Sequence, residues 1–485
     1  MTFNTLTFLL FLTIVFVLYW SIRFRQAQNW FLVIASYTFY GWWDYRFCVL
    51  MLGSSLIDYV SGLALSRVSS SKMRKLILCF SITASLGTLG LFKYFNFFAE
   101  NFRAAASSIG WQVDEVTLRI VLPVGISFYT FQTMSYALDV YRQQIRATSN
   151  LGDYLAYVSF FPQLVAGPIE RATHFLPQFT RPRVFDAANA ADGCRQCLWG
   201  FFKKMVIADN LGPLVDPLFL SPRSYTGPEL AMATVLFAVQ IYCDFSAYSD
   251  IASGTARLFG FELMRNFAYP YFSQSAGEFW RRWHISLTSW FKDYVFIPLG
   301  GSRVSPVRRS FNIMIIFTLS GLWHGASWNF IVWGALNGIL VLPSALFPGH
   351  KKRITSDQPP AAHKPVMALP RIFGTFILVC LGWIFFRSAS LGDSFYILGK
   401  IISGFGSQDS VALALSVAVG GNLGVWLLLA IVFFISMEWV YRCEPHPLVL
   451  RRIGLPGRWL VYTGLSWATL LWGTFGGSQF IYFQF

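Results

Sequence analysis

The chain has 485 residues, of which 55% are hydrophobic and only 13% charged, and its mean hydropathy is +0.50. A soluble domain carries about 25% charged residues, so a soluble globular protein is excluded. Apolar runs of about twenty residues recur, which argues a polytopic α-helical membrane protein rather than a barrel of alternating segments of about ten. The net charge of +15 does not argue nucleic-acid binding, because the basic residues lie mostly in short loops between apolar runs, the usual bias of cytoplasmic loops.

The first run, Phe8 to Trp20, is followed by Arg23 and Arg25 and has no basic residue before it. That is the reverse of a cleaved signal, so it reads as a retained helix with its N-terminus outside the cytoplasm. Residues 29–43 return, although short for a span; 47–65 go back to Arg67, Lys72, Arg74 and Lys75; 76–98 lead out to Asp114 and Glu115. Residues 120–141 return to a long segment with Arg171, Arg181, Arg183, Lys203 and Lys204, and 205–220 and 230–256 form an out-and-back pair. Later, 372–386 goes out, 422–441 returns to Arg451, Arg452 and Arg458, and 459–474 leaves again. The strongly basic loops then share one side. The 349–370 loop, with Lys351, Lys352, Arg353, Pro359, Pro360 and Lys364, is the one linker-like stretch, so residues 1–485 read as a single membrane-embedded domain with its core over 120–347.

Two segments break the pattern. Residues 311–347 are too long for one span and short for two, so a broken pair or re-entrant hairpin fits, with its break in the small-residue run 320–327 around Trp323, His324 and Gly325. Irregular backbone at membrane depth occurs only inside protein or beside a water-filled cavity, which places His324 in the interior. Residues 277–301 mix Trp280, Trp283, Trp290 and Phe291 with Glu278, Arg281, Arg282, His284, Lys292 and Asp293. Such charge does not cross a bilayer as a plain helix; the segment lies along the interface or dives into a polar cavity.

Of the six histidines, His350, His363 and His446 sit in polar loops where solvation explains them, and His174 follows "GPIERAT" in a cytoplasmic loop. His284 and His324 are different, because an ionisable group inside a membrane is a functional candidate by default and imidazole serves as a base near neutral pH. The alternative for each is a packing hydrogen bond. Forty residues separate them, which is no metal-site spacing. Of seven cysteines, Cys194 and Cys197 form a lone C-x-x-C, short of the four ligands of a structural zinc site, so no metal is expected. Asp244 and Asp250, nearly two turns apart in an apolar run that also carries Arg257, either share a functional face or bond neighbouring helices. No P-loop, G-x-S-x-G elbow or G-x-G-x-x-G appears.

The runs "PVGISFYTFQTMSYALDVYR" (123–142), "FFPQLVAGPIER" (160–171), "GFFKKMVIADN" (200–210), "CDFSAYSDIA" (243–252), "EFWRRWHISLTSWFKDYVFIPLGG" (278–301), "SGLWHGASW" (320–328) and "QFIYFQF" (479–485) resemble the membrane-bound O-acyltransferases, above all the bacterial branch that acetylates exopolysaccharides. The resemblance implies a ring of about 11 to 12 tilted transmembrane helices, with re-entrant and interfacial helices around a thin centre, and funnels from both faces. It implies a catalytic histidine at His324, as general base, and a second at His284. It also implies a cytoplasmic thioester donor, acetyl-CoA or another, with no bound cofactor. The acetyl group would pass to an extracytoplasmic partner and the exopolysaccharide machinery, in the inner membrane of a bacterium. Within that scheme Trp323, Gly325 and Ser327 shape the wall, Arg281, Arg282 and Lys292 meet the donor's phosphates, and Asp244 counts among the substrate- or donor-binding residues. D-alanyl transfer to teichoic acid, a polysaccharide or lipid transporter, and a non-enzymatic anchoring subunit are the competing readings.

Overall fold

Backbone amides in a bilayer have no water to bond, and a helix satisfies them within one segment. The computed structural model describes residues 1–114, 117–118, 121–346, 365–404, 424–476 and 480–481, and among these there are helices and turns but no strand. They fall into two compact units.

The first unit is Leu6–Ala190 with Thr255–Met264. It holds α1 (Leu6–Ser21), α2 (Arg25–Gly41), α3 (Arg46–Arg67), α4 (Ser71–Leu89), α5 (Phe95–Ser108), α6 (Ile126–Tyr141), α7 (Leu151–Ser159) and α8 (Ala172–Thr180). Helices α4 and α5 are joined by a π-helical turn, Gly90–Tyr94, into one 38-residue helix. Helix α3 packs on α4 and α6, where Gly62 gives way to the Tyr136 ring and Asp58 accepts hydrogen bonds from Ser81 (2.5 Å) and Ser85 (3.1 Å). Helix α6, expected as part of a span, is buried along almost its whole length, so protein rather than lipid surrounds it. Arg25, counted above as a loop charge, is turned inward onto Asp153 at 2.9 Å and the Phe179 carbonyl.

The second unit is Thr2–Thr5, Ala191–Gly254 and Arg265–Phe485. It includes most of α9 (Ala187–Phe201), then α10 (Asp209–Leu220), α11 (Gly227–Leu258) up to Gly254, α12 (Ala276–Arg282), α13 (Ile285–Phe291), α14 (Pro306–His324), α15 (Trp328–Leu346), α16 (Pro365–Arg387), α17 (Leu391–Gly404), α18 (Gly424–Val440) and α19 (Leu455–Trp472). A π-helical turn, Phe202–Ala208, joins α9 to α10 and carries Lys203 and Lys204. Both lysines, read from the sequence as part of a basic loop segment, are buried against α11: Lys203 bonds Asp250 (2.6 Å) and Ser246, and Lys204 bonds Asp244 (2.6 Å) and Asp209 (2.8 Å).

The broken pair expected at 311–347 is a helical hairpin of two 19-residue helices, α14 and α15, with its break at 325–327. The helices touch through glycine: a Cβ on Gly321 would strike the Phe330 carbonyl, and one on Gly334 the Phe317 carbonyl. Among the described residues five helices are long and apolar enough to cross a membrane, Arg46–Arg67, Ser71–Ser108, Gly227–Leu258, Trp328–Leu346 and Met367–Arg387, with Leu6–Ser21 and Gly424–Val440 shorter but apolar. The chain is a multi-pass α-helical membrane protein. The linker-like loop up to residue 364, with His350 and His363, lies outside the described residues, as does the terminal run except Phe480 and Ile481.

Candidate active site

Helix α14 ends on His324 because Gly325 leaves the helix in an extended conformation, φ −163°. No side chain fits at 325, since a Cβ would enter the Phe330 ring. His324 is 4% exposed. Aromatic rings wall it edge-on: Trp323 at 4.9 Å, Trp333 of α15 at 5.0 Å and Phe386 of α16 at 5.6 Å between centroids. The fourth neighbour is His284, whose ring centre lies 6.3 Å away.

His284 is fully buried and sits in the two-residue joint between α12 and α13 at φ +45°, ψ +54°, a left-handed conformation rare for a residue with a Cβ. Flanking hydrogen bonds hold it there. The Ile285 amide donates to the Asn266 carbonyl (2.9 Å), the Ser286 hydroxyl to Asn266 Oδ1 (3.0 Å), and the Ala268 amide to the Arg282 carbonyl (3.0 Å). Phe245 of α11 lies edge-on to the imidazole at 4.7 Å, and Trp323 lies 5.8 Å away. The first part of the segment 277–301 has thus taken the inward course, with Phe279, Trp280, Trp283, Leu287, Trp290 and Phe291 all buried in protein, whereas residues 292–300 are half-buried or exposed.

The remaining expected residues separate. Trp323 and Gly325 are buried beside His324, and Ser327 is half-buried in the break. Arg281 is exposed, and the Lys292 side chain is 60% exposed, 3.4 Å from Asp293. Arg282 is buried, its Nε donating to Glu278 one turn back at 3.0 Å; Glu278 also accepts from the Gln274 amide while its own amide donates to Ser275, closing the start of α12. Asp244 is occupied away from the histidines, by Lys204 and by the Ile481 amide at 2.7 Å.

A narrow polar cavity of about 40 Å³ lies one residue layer from His284, sharing Asn266 and Phe267 with it. Lys203, Asp250, Glu438 and His446 line it, with Gln196 and Trp199. Gln196 Oε1, Trp199 Nε1 and His446 Nδ1 are buried there without a hydrogen-bond partner among the described residues. His446 corrects the sequence reading: it is 1% exposed and bonded to Asp192 at 3.3 Å, not a solvated loop histidine.

A family model described as the membrane-bound O-acyltransferase family matches residues 60–387. The chain belongs to this family. Both histidines and the hairpin of this acyltransferase fall inside the matched region. It is 37% identical over 446 residues to a probable alginate O-acetylase of Pseudomonas aeruginosa, covering 90% of this chain and 81% of that one. A peptidoglycan O-acetyltransferase of Helicobacter pylori is 33% identical over 411 residues (79% and 74%), and a teichoic acid D-alanyltransferase of Streptococcus thermophilus 30% over 299 (56% and 70%).

The surroundings of the two histidines also include residues that the sequence did not single out. Trp333 and Phe386 lie in long apolar runs where one aromatic does not stand out from the next, and Phe245 sits beside the more conspicuous Asp244. Asn266 carried one weak signal, an amide just ahead of a tyrosine- and phenylalanine-rich run.

Proposed function

We propose that this O-acyltransferase takes an acetyl group from a cytoplasmic thioester donor and hands it on towards an exported polysaccharide, with His324 as the general base. The observation that carries this reading is the meeting of two buried imidazoles, forty residues apart in sequence, at the break of the α14–α15 hairpin. Acyl transfer from a thioester needs a hydroxyl made nucleophilic and a place for the developing oxyanion. His324 accepts the proton of the acceptor hydroxyl as its oxygen bonds to the acyl carbon; the C–S bond then breaks and the thiolate leaves with that proton. His284 donates to the carbonyl oxygen or aligns the acceptor, and its taut joint gives it one orientation. Aromatic walls keep water, a competing nucleophile, from the acyl carbon.

The donor's arm approaches through the narrow polar cavity, whose buried Trp199 donor and Gln196 acceptor suit amide groups. The cavity's lining includes the exposed Pro445, in the loop leading to Arg451 and Arg452, on the side that the basic loops assign to the cytoplasm. Exposed Arg281 and Lys292 offer charge to donor phosphates, whereas Arg282 fixes α12 through Glu278. The single catalytic domain lies in a bacterial cytoplasmic membrane, and the acetyl group reaches the polymer through an extracytoplasmic partner. The names of the alginate and peptidoglycan O-acetylating relatives, matched over most of this chain, favour acetyl over D-alanyl.

In cells that make the polymer, His324→Ala at wild-type abundance should remove ester-linked acetyl from the exported polysaccharide. Unchanged acetyl content in that strain would end the role given to His324.

A further inference from the structure

The helix Ser71–Ser108 is longer than a bilayer needs. Its 38 residues span about 57 Å, and about 54 Å at a common tilt of about 20°, against about 40–45 Å for hydrocarbon plus headgroups. Lys72, Arg74 and Lys75 fix its start at the headgroups of the basic side, so the surplus emerges at the far end, as the last turns of α5. The chain then turns at Gly110 (φ +81°) and runs back along α5. That return is clamped by a reciprocal pair: Asn96 Nδ2 donates to the Leu118 carbonyl (3.0 Å) and the Leu118 amide to Asn96 Oδ1 (2.9 Å). Trp111 closes edge-on over Phe102 at 5.8 Å.

Between α5 and the returning segment lies a cleft of about 270 Å³, with Phe95, Ala99 and Phe102 in its floor and Glu100, Arg103 and Asp114 among its polar residues. Phe98, Phe102, Ile109 and Trp111 are 57%, 55%, 79% and 59% exposed. Glu100 and Asp114 make no ion pair or hydrogen bond among the described residues. At about 1.4 Å of depth per tilted residue, Phe95 and Phe98 lie in the far headgroup layer, with Phe102 at its outer edge and Ile109 beyond it. An exposed aromatic patch emerging there marks a protein contact surface, and a preformed pocket for one large side chain is the form such anchors take. Two carboxylates against one guanidinium disfavour an acidic glycan and favour a basic flank on the occupant.

We propose that this cleft docks the extracytoplasmic partner protein, one bulky apolar side chain seating on Phe95 and Phe102 while an adjacent Lys or Arg meets Glu100 and Asp114. The need for a partner, and the side on which it stands, rest on the function proposed above; the cleft and its chemistry do not.

The test uses the full chain. Phe102→Asp, and separately Glu100→Lys with Asp114→Lys, should lower acetyl on the exported polysaccharide at least tenfold in cells, while the same purified proteins consume thioester donor within twofold of wild type. A photo-crosslinking residue at position 102 should join one extracytoplasmic protein in intact cells, and the double charge reversal should abolish that adduct. Polymer acetylation within twofold of wild type overturns the proposal. So does a parallel fall in donor consumption, which would put α5 in the reaction itself, or an adduct with glycan or lipid in place of protein. Should His324→Ala still consume donor and acetylate the polymer, the proposed function falls, whereas the charge-sensitive adduct at 102 stands or falls independently.

Discussion

His284 pays a conformational cost that its neighbours impose. A non-glycine residue held in the left-handed region is disfavoured by about 1–3 kcal/mol, and such residues cluster where a side chain must point one way. Asparagine tolerates that backbone. His284→Asn should therefore keep its melting temperature within about 3 °C of wild type yet lose donor turnover by about 10²-fold or more, in the range expected for a lost acid–base group. Wild-type turnover in His284→Asn would make the imidazole a packing group. His174, expected in a loop but placed by the structure in the first turn of the short helix α8, gives a pH signature outside the membrane spans. Its hydrogen bond to buried Glu170 (2.9 Å) raises its pKa above the ordinary histidine value. A raised folded pKa stabilises the fold fully below about pH 6.5 and loses that contribution as pH climbs through the raised value. Melting curves from pH 5.5 to 8.5 should show this loss in wild type and a flatter profile in His174→Gln. Single residues were unevenly legible. His324 stood out because a titratable group interrupts an apolar run. Arg282 was grouped with Arg281 and Lys292 as a contact for the donor's phosphates, although Glu278, four residues earlier, already offered the partner it is buried with.

At the scale of elements, the α14–α15 hairpin is the device that delivers His324. Its glycine contacts leave no room for a methyl group at Gly321 or Gly334. Gly334→Leu should wedge the helices apart, costing about 1–3 kcal/mol or more, and should lower donor turnover because Trp333 and His324 move together. Gly374 of α16 has open space around its missing Cβ, so Gly374→Ala should be neutral or slightly stabilising, by up to about 1 kcal/mol. Denaturant titration in detergent compares the two. The hairpin was readable, since its length fitted neither one span nor two. Its meeting with the α12–α13 joint was not: hydropathy and periodicity describe a segment, and nothing in either half names the other. The 277–301 segment was left between the interface and the interior because amphipathic character is the same in both; burial of its tryptophans against α11, α15 and α16 decides it.

Over the whole molecule, charge that helped to orient the chain turns out to serve two purposes. Arg67 at the end of α3, Lys72 at the start of α4, and Arg451 and Arg452 in the turn before α19 are exposed charges that fit a cytoplasmic face. Arg25, Lys203 and Lys204 were counted with them and instead lie in buried or half-buried ion pairs. Lys204 is the hub, shared by Asp209 and Asp244, with each of the three side chains at most 3% exposed. Lys204→Met would strand two buried carboxylates and should destabilise the protein by about 3–5 kcal/mol, read as a shift in the unfolding midpoint. Adding Asp209→Asn and Asp244→Asn should recover part of that loss, which a purely catalytic Lys204 would not show. Asp244 thus belongs to the frame that sets α11, whose next residue, Phe245, packs on His284. The helical membrane class was legible from composition and the family from seven short runs. The division into two units and the inward turn of the lysines depend on contacts between distant segments, which one-dimensional patterns do not carry. The central claim is that the buried histidine pair performs acyl transfer with His324 as base. It is tested most directly by single-turnover consumption of radiolabelled acetyl thioester by purified His324→Ala, with a wild-type melting curve confirming its fold. The account predicts a loss of at least about 10²-fold in rate; consumption at the wild-type rate by the folded variant would contradict it.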